Sequence, residues 1–167
     1  MRSPHFEDPQ LFVVKAQELP LSGLALLELM RAVLAKGVPF RFCARGWSMA
    51  PFILDGDVIT VSPLRQAKPR LGEVVAYVRP GTGNLVVHRV IARRAGAAII
   101  QGDNRLENND EVIGLENILG RITNVERNEQ PVWIGLGPER IFIAWLSREK
   151  LLIPLQVRFT AWLKRFS

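Results

Sequence analysis

Apolar side chains at Leu26, Leu27, Met30, Val33 and Leu34 recur at i, i+1, i+4, i+7 and i+8, which gathers them on one face of a helix predicted over residues 22–36. Ser22 is placed to cap its start, and Gly37 followed by Pro39 ends it. The period then drops to two. Phe40, Phe42 and Ala44 alternate with Arg41, Cys43 and Arg45, the pattern of a half-buried strand that leads to Ser48. Further β-type runs occupy residues 58–61, 74–78, 85–92, 98–101 and 118–125. Turn-forming segments separate several of them: Leu54-Asp55-Gly56-Asp57, Pro69-Arg70-Leu71-Gly72 and Pro80-Gly81-Thr82-Gly83-Asn84. From residue 138 the pattern is helical again, with Ile141, Ile143, Ala144 and Trp145 apolar and residues 148–150 polar. A second stretch, 155–166, mixes Val157, Phe159, Trp162, Leu163 and Phe166 with Arg158, Lys164 and Arg165.

Closely spaced short strands predict a mainly β fold, a compact barrel or pair of curled sheets, and not a βαβ arrangement. Three segments follow: residues 1–37 as an N-terminal segment with its amphipathic helix, 38–137 as a β-rich domain, and 138–167 as a C-terminal helical extension. That extension either packs on the domain or lies in a membrane interface through its basic, aromatic-bearing face. There is no internal repeat or low-complexity tract.

The 167 residues suffice for one domain with a real core. With 48% hydrophobic and 23% charged residues, an ordered globular chain is the expectation. The net charge of +6 permits attraction to an anionic surface. No nucleic-acid-binding module or basic patch interleaved with aromatics accompanies it, so no nucleic-acid partner is expected. Cys43 stands alone, which excludes an internal disulfide and fits a reducing compartment. Two histidines and one cysteine suggest no structural zinc site. The first nine residues are polar and lack the basic-then-apolar order of a cleavable leader. The longer apolar stretches are broken by Glu28 and Arg31, and by Pro154, Gln156 and Arg158, short of the roughly 18 residues a membrane span needs. A cytoplasmic location, or one peripheral to the inner membrane, is expected.

The candidate chemistry lies in Gly46-Trp47-Ser48-Met49-Ala50-Pro51, in Val87-His88-Arg89-Val90, and in Gly102-Asp103-Asn104-Arg105 with Asp110 beyond it. A serine hydroxyl is a poor nucleophile at neutral pH and needs a base within hydrogen-bond reach. An imidazole is best matched to that role, and a carboxylate on its far nitrogen fixes the tautomer and stabilises the imidazolium. Gly46 lets the backbone bend sharply before Ser48, and N–H groups near Ser48 are candidates for the oxyanion site. His88 falls mid-strand, on the face of Val86 and Val90. Each residue also has an ordinary reading: Ser48 as a turn residue, His88 as a hydrogen-bonded core residue, Asp103 and Asp110 as loop carboxylates, Asp55 and Asp57 as shapers of the Gly56 turn.

In their order, Gly46 to Pro51, Gly56-Asp57-Val58-Ile59, His88-Arg89-Val90, and Gly102-Asp103-Asn104-Arg105 with Asp110 resemble the motifs of type I signal peptidases. The wider group includes repressor-type self-cleaving proteases. The resemblance covers roughly residues 38–126. It implies a curled β-barrel fold, with Ser48 as nucleophile and His88 as base. Histidine at the base position is similar to the archaeal and endoplasmic-reticulum branch, where bacterial members mostly carry lysine. In that branch an aspartate assists the histidine, which implies Asp110 first and Asp103 as the alternative. The chain departs from the family at Gly72-Glu73, where a second Gly-Asp is usual, at Asn108, where lysine-type members often carry serine, and in having no apparent transmembrane anchor. A serine endopeptidase acting on a peptide or protein substrate without metal or organic cofactor is the expectation. The alternatives are a catalytically inactive scaffold serving as a binding or maturation partner, and a self-cleaving regulator. The last needs a DNA-binding helical domain ahead of the catalytic region, where only one convincing helix precedes Ser48.

Overall fold

A computed structural model describes residues 23–64, 68–104, 110–149 and 151. The first helix, α1 (Gly23–Ala35), buries Leu27, Met30 and Leu34, the face that the apolar spacing predicts. It stops where Gly37 takes a φ of +76°, with the Gly37 N–H donating to the Leu34 carbonyl at 2.9 Å. An L side chain there would meet the left-handed penalty of roughly 1 kcal/mol, which is why glycine ends this helix. Ser22 lies outside the described residues.

Among the described residues eight strands follow: β1 (Phe40–Cys43), β2 (Val58–Pro63), β3 (Val74–Val78), β4 (Leu85–Arg94), β5 (Ala97–Gln101), β6 (Glu111–Gly114), β7 (Ile118–Arg127) and β8 (Gln130–Pro131). They form one antiparallel sheet in the order β1-β2-β7-β3-β4-β5-β6, with β8 on β7. Among the described residues the sheet is not closed into a barrel, which corrects the expected closure: β1 pairs there with β2 alone and β6 with β5 alone. Closure is unnecessary because each face has its own core. Val74 and Ala76 of β3 point into one cluster with Met30, Phe42, Ile59 and Ile122. Val75 and Tyr77 point into another, with Val90, Ala98, Ile100 and Ile113. All five β3 residues are therefore buried, and the strand reads as an unbroken apolar run because neither of its faces meets water. Each fully buried valine or isoleucine contributes roughly 1.5–3 kcal/mol of apolar burial, so a polar side chain in β3 needs a partner.

The second helix, α2 (Arg140–Arg148), lies against β4 and buries Ile143, Ala144, Leu146 and Ser147, with Ile143 and Leu146 packed on Phe52. Of the apolar residues that suggested it, Ile141 and Trp145 are exposed, and Phe142 stacks on Trp145 at 5.8 Å between ring centroids. No helix among the described residues is long and apolar enough to cross a membrane. The stretch 155–166, and with it most of the surface assigned to membrane contact, lies outside the described residues.

Candidate active site

The loop that carries Ser48 is fastened at both ends. Gly46, at a φ of +92°, donates its N–H to Asp55 Oδ1 at 2.7 Å, and Gly56 N–H reaches the Ala44 carbonyl at 2.9 Å. Buried Asp57 accepts from the Leu54 N–H at 2.8 Å and from Arg127 on β7. Both aspartates thus shape the turn, as expected of them. Met49 and Ile53 anchor the loop in the core, which leaves Ser48 half-buried and Trp47 exposed.

His88 sits on β4 opposite Val75 and is almost wholly buried. Its Nε2 lies 3.1 Å from Ser48 Oγ, so two residues forty positions apart in sequence form a hydrogen-bonded pair. The turn after β5 holds them together: Asn104 donates its backbone N–H to the Ser48 carbonyl at 2.9 Å and its side-chain amide to the Trp47 carbonyl at 3.1 Å. Gly102 makes room for this. A Cβ there would stand 2.7 Å from the Ser48 carbonyl oxygen and 3.1 Å from His88 Nε2.

On the other side of the ring, Nδ1 is 3.2 Å from the Tyr77 hydroxyl and 3.7 Å from Glu111 Oε1. Strand register explains the meeting. His88 faces the same side of the sheet as Val86 and Val90, as its alternation predicts, and Tyr77 on β3 and Glu111 on β6 face that side too. Arg79, just past β3, grips Glu111 with Nε and Nη2 at 2.8 and 2.6 Å. Burial, with the Glu111 charge beside it, pushes the Tyr77 hydroxyl well above its ordinary range, so it stays protonated. Burial by itself would raise the Glu111 carboxyl, but hydrogen bonds from Arg79 and Tyr77 outweigh it and hold the group below its usual range.

Neither expected aspartate reaches Nδ1. Asp103 is committed to Arg89, which points to the opposite face of β4: Nε donates to Oδ1 at 2.8 Å and Nη2 to Oδ2 at 2.7 Å, with both side chains wholly buried. Arg89 also donates to the Gly72 and Gly135 carbonyls and lies over the Phe52 ring, while Ser147 of α2 donates to Asp103. This network ties the 102–104 turn to β4, α2 and the Gly135 loop. Asp110 is exposed just before β6, and no hydrogen bond or ion pair joins it to His88. The sequence reading missed Tyr77, Arg79 and Glu111. The single tyrosine of the chain, lying in the apolar run of β3, was the available signal. Glu111 gave none without β6.

A cleft of about 740 Å³ opens in front of Ser48 and His88, lined among others by Leu24, Phe42, Met49, Leu85 and Val87. Two strand edges flank it. Among the described residues the side of β1 away from β2 has no partner strand, and β5 pairs with β4 only from Arg89 onward, leaving Leu85–Val87 open on that side. Among the described residues no three His, Cys, Asp or Glu side chains converge as a metal-ligand set. No protein-family model matches the chain, and no curated protein matches it.

Proposed function

We propose that the chain is a serine endopeptidase of the signal-peptidase-like group, with Ser48 as nucleophile and His88 as general base. One observation carries the reading: the 3.1 Å approach of Ser48 Oγ to His88 Nε2 at the wall of an open cleft. The open sheet with its embedded Ser-His pair is also the finer fold proposed, a signal-peptidase-like curl that stops short of a barrel. The substrate is an extended peptide, added as a strand between the free edges of β1 and β4, with backbone hydrogen bonds for affinity and the apolar lining for side chains.

In the proposed reaction Ser48 Oγ attacks the scissile carbonyl carbon while its proton passes to His88 Nε2. Among the described residues no hydrogen bond engages the Ser48 N–H, which leaves it to receive the oxyanion. The tetrahedral intermediate collapses as the imidazolium protonates the leaving amine, and an acyl ester remains on Ser48. Water, deprotonated by His88, then attacks the ester, releasing a carboxylic acid and restoring the hydroxyl.

The test is cleavage of a mixed peptide library by the full chain, read by mass spectrometry. Wild type should produce new termini, and Ser48→Ala and His88→Ala should produce none while keeping the wild-type circular dichroism spectrum. Equal cleavage by Ser48→Ala refutes the reading. A binding-only scaffold has one observation in its favour, the exposed Trp133, Ile134, Phe142 and Trp145. It predicts retention of partners or anionic vesicles with no cleavage by wild type.

A further inference from the structure

Behind the proposed base, side chains from separate parts of the sheet converge: Tyr77 from β3, Arg79 from the residue after its end, Glu111 from the start of β6. Resting on the Ser48–His88 reading, we propose that Tyr77 and Glu111 are the positioning pair of this site. Glu111 acts on His88 through the Tyr77 hydroxyl, and Arg79 sets how strongly it acts.

The assignment follows from proton bookkeeping. To take the Ser48 proton, Nε2 must be bare, so the neutral ring carries its hydrogen on Nδ1. That N–H has the Tyr77 oxygen 3.2 Å away as its acceptor. The Tyr77 proton is then free to go to Glu111, the carboxylate on the same side of the ring. Because Tyr77 resists ionisation, its hydroxyl remains donor and acceptor at once throughout the neutral range. The Glu111 oxygen 3.7 Å from Nδ1 also stabilises the imidazolium that forms when Ser48 gives up its proton. Arg79 holds both carboxylate oxygens, which fixes their direction and offsets part of their charge. Of the other groups placed near the ring, Ser48 and Gly102 lie on the Nε2 side, and Arg89 and Asp103 pair with each other on the opposite face of β4.

Opposite signs distinguish this from mere packing. Glu111→Gln removes the negative charge and leaves Arg79 unopposed, so it lowers the His88 pKa by about one unit or more. Arg79→Gln leaves Glu111 unopposed and raises it. Tyr77→Phe removes the acceptor and lowers the share of rings with hydrogen on Nδ1. Glu111→Asp restores part of the Glu111→Gln loss.

The experiment is a nitrogen and carbon NMR titration of the histidine rings in the full chain. It has only His5 and His88, so a His5→Asn variant assigns the signals. The predicted result is an Nδ1–H tautomer in wild type, a downward shift in Glu111→Gln and an upward shift in Arg79→Gln. Shifts of the same sign in both, no shift in either, or an Nε2–H tautomer in wild type overturns the proposal. Should Glu111→Gln fail to fold, Arg79→Gln, at a half-buried position, decides it alone by the direction of its shift. The readout does not depend on turnover. The predicted shifts in a chain that cleaves no peptide would overturn the peptidase and keep the positioning; cleavage without those shifts would do the reverse.

Discussion

Replacing Asp103 with asparagine separates two roles that the sequence alone leaves open. Asp103 and Arg89 are both wholly buried and share close charge-assisted hydrogen bonds. Breaking such a pair on one side leaves a guanidinium uncompensated in the interior, at a cost of about 3–5 kcal/mol. In a domain of this size that is a fall in Tm of about 10 °C. The Gly72 and Gly135 carbonyls still accept from Arg89, and the amide oxygen of asparagine can still accept, so the lower end of the range is expected. Turnover by the remaining folded protein should stay within about tenfold of wild type, because no Asp103 atom bonds to the His88 ring. The double variant Asp103→Leu, Arg89→Met removes both charges and should recover part of the loss, the two freed carbonyls setting the limit. Urea denaturation gives the stability, and peptide cleavage per folded molecule gives the rate. Unchanged stability with a rate reduced by orders of magnitude would refute this account and return Asp103 to the base.

Three further outcomes are expected. Gly102→Ala drives a methyl group against the Ser48 carbonyl and toward Nε2, so cleavage should fall by about a hundredfold while stability drops by only about 1–3 kcal/mol, measured on the same preparation. Because Glu111 titrates below its unfolded value, its contribution is complete above the ordinary glutamate pKa of about 4.3 and is lost as pH falls through the lower folded value. Denaturation between pH 2 and 7 should therefore show a shallower acid decline in Glu111→Gln. Tyr77 is harder to ionise folded than unfolded, so stability should fall as pH rises above about 10, and Tyr77→Phe should remove that decline.

Much of the fold could be read from spacing. The helix over 22–36 is α1, and the alternation at Phe40, Phe42 and Ala44 is β1, because a half-buried face writes its period into the chain. Runs 58–61, 74–78, 85–92, 98–101 and 118–125 each fall within a strand or differ from one only slightly at its ends. Strands β6 and β8 were missed: four and two residues long, with Glu111 and Gln130 at their starts, they carry too little apolar periodicity. The open sheet was not legible either, since closure depends on whether the terminal strands pair and not on any local pattern. For the site, order along the chain singled out Ser48 and His88, which the fold brings together. Spacing failed for the carboxylate. Asp103 and Asp110 stand at the expected positions, but adjacent strand residues face opposite ways. Arg89 takes Asp103 to the far side, and Glu111, one residue beyond Asp110, is the one that turns toward the ring.

The most direct measurement is the site and rate of modification by a fluorophosphonate, which reacts with a hydroxyl only when a base activates it. Intact-mass and peptide analysis of the treated full chain should find one adduct, on Ser48. Its rate should rise with pH as His88 loses its proton and fall by at least a hundredfold in His88→Ala. A chain left unmodified, or modified equally with and without His88, would contradict the claim that this hydroxyl and imidazole work as a pair.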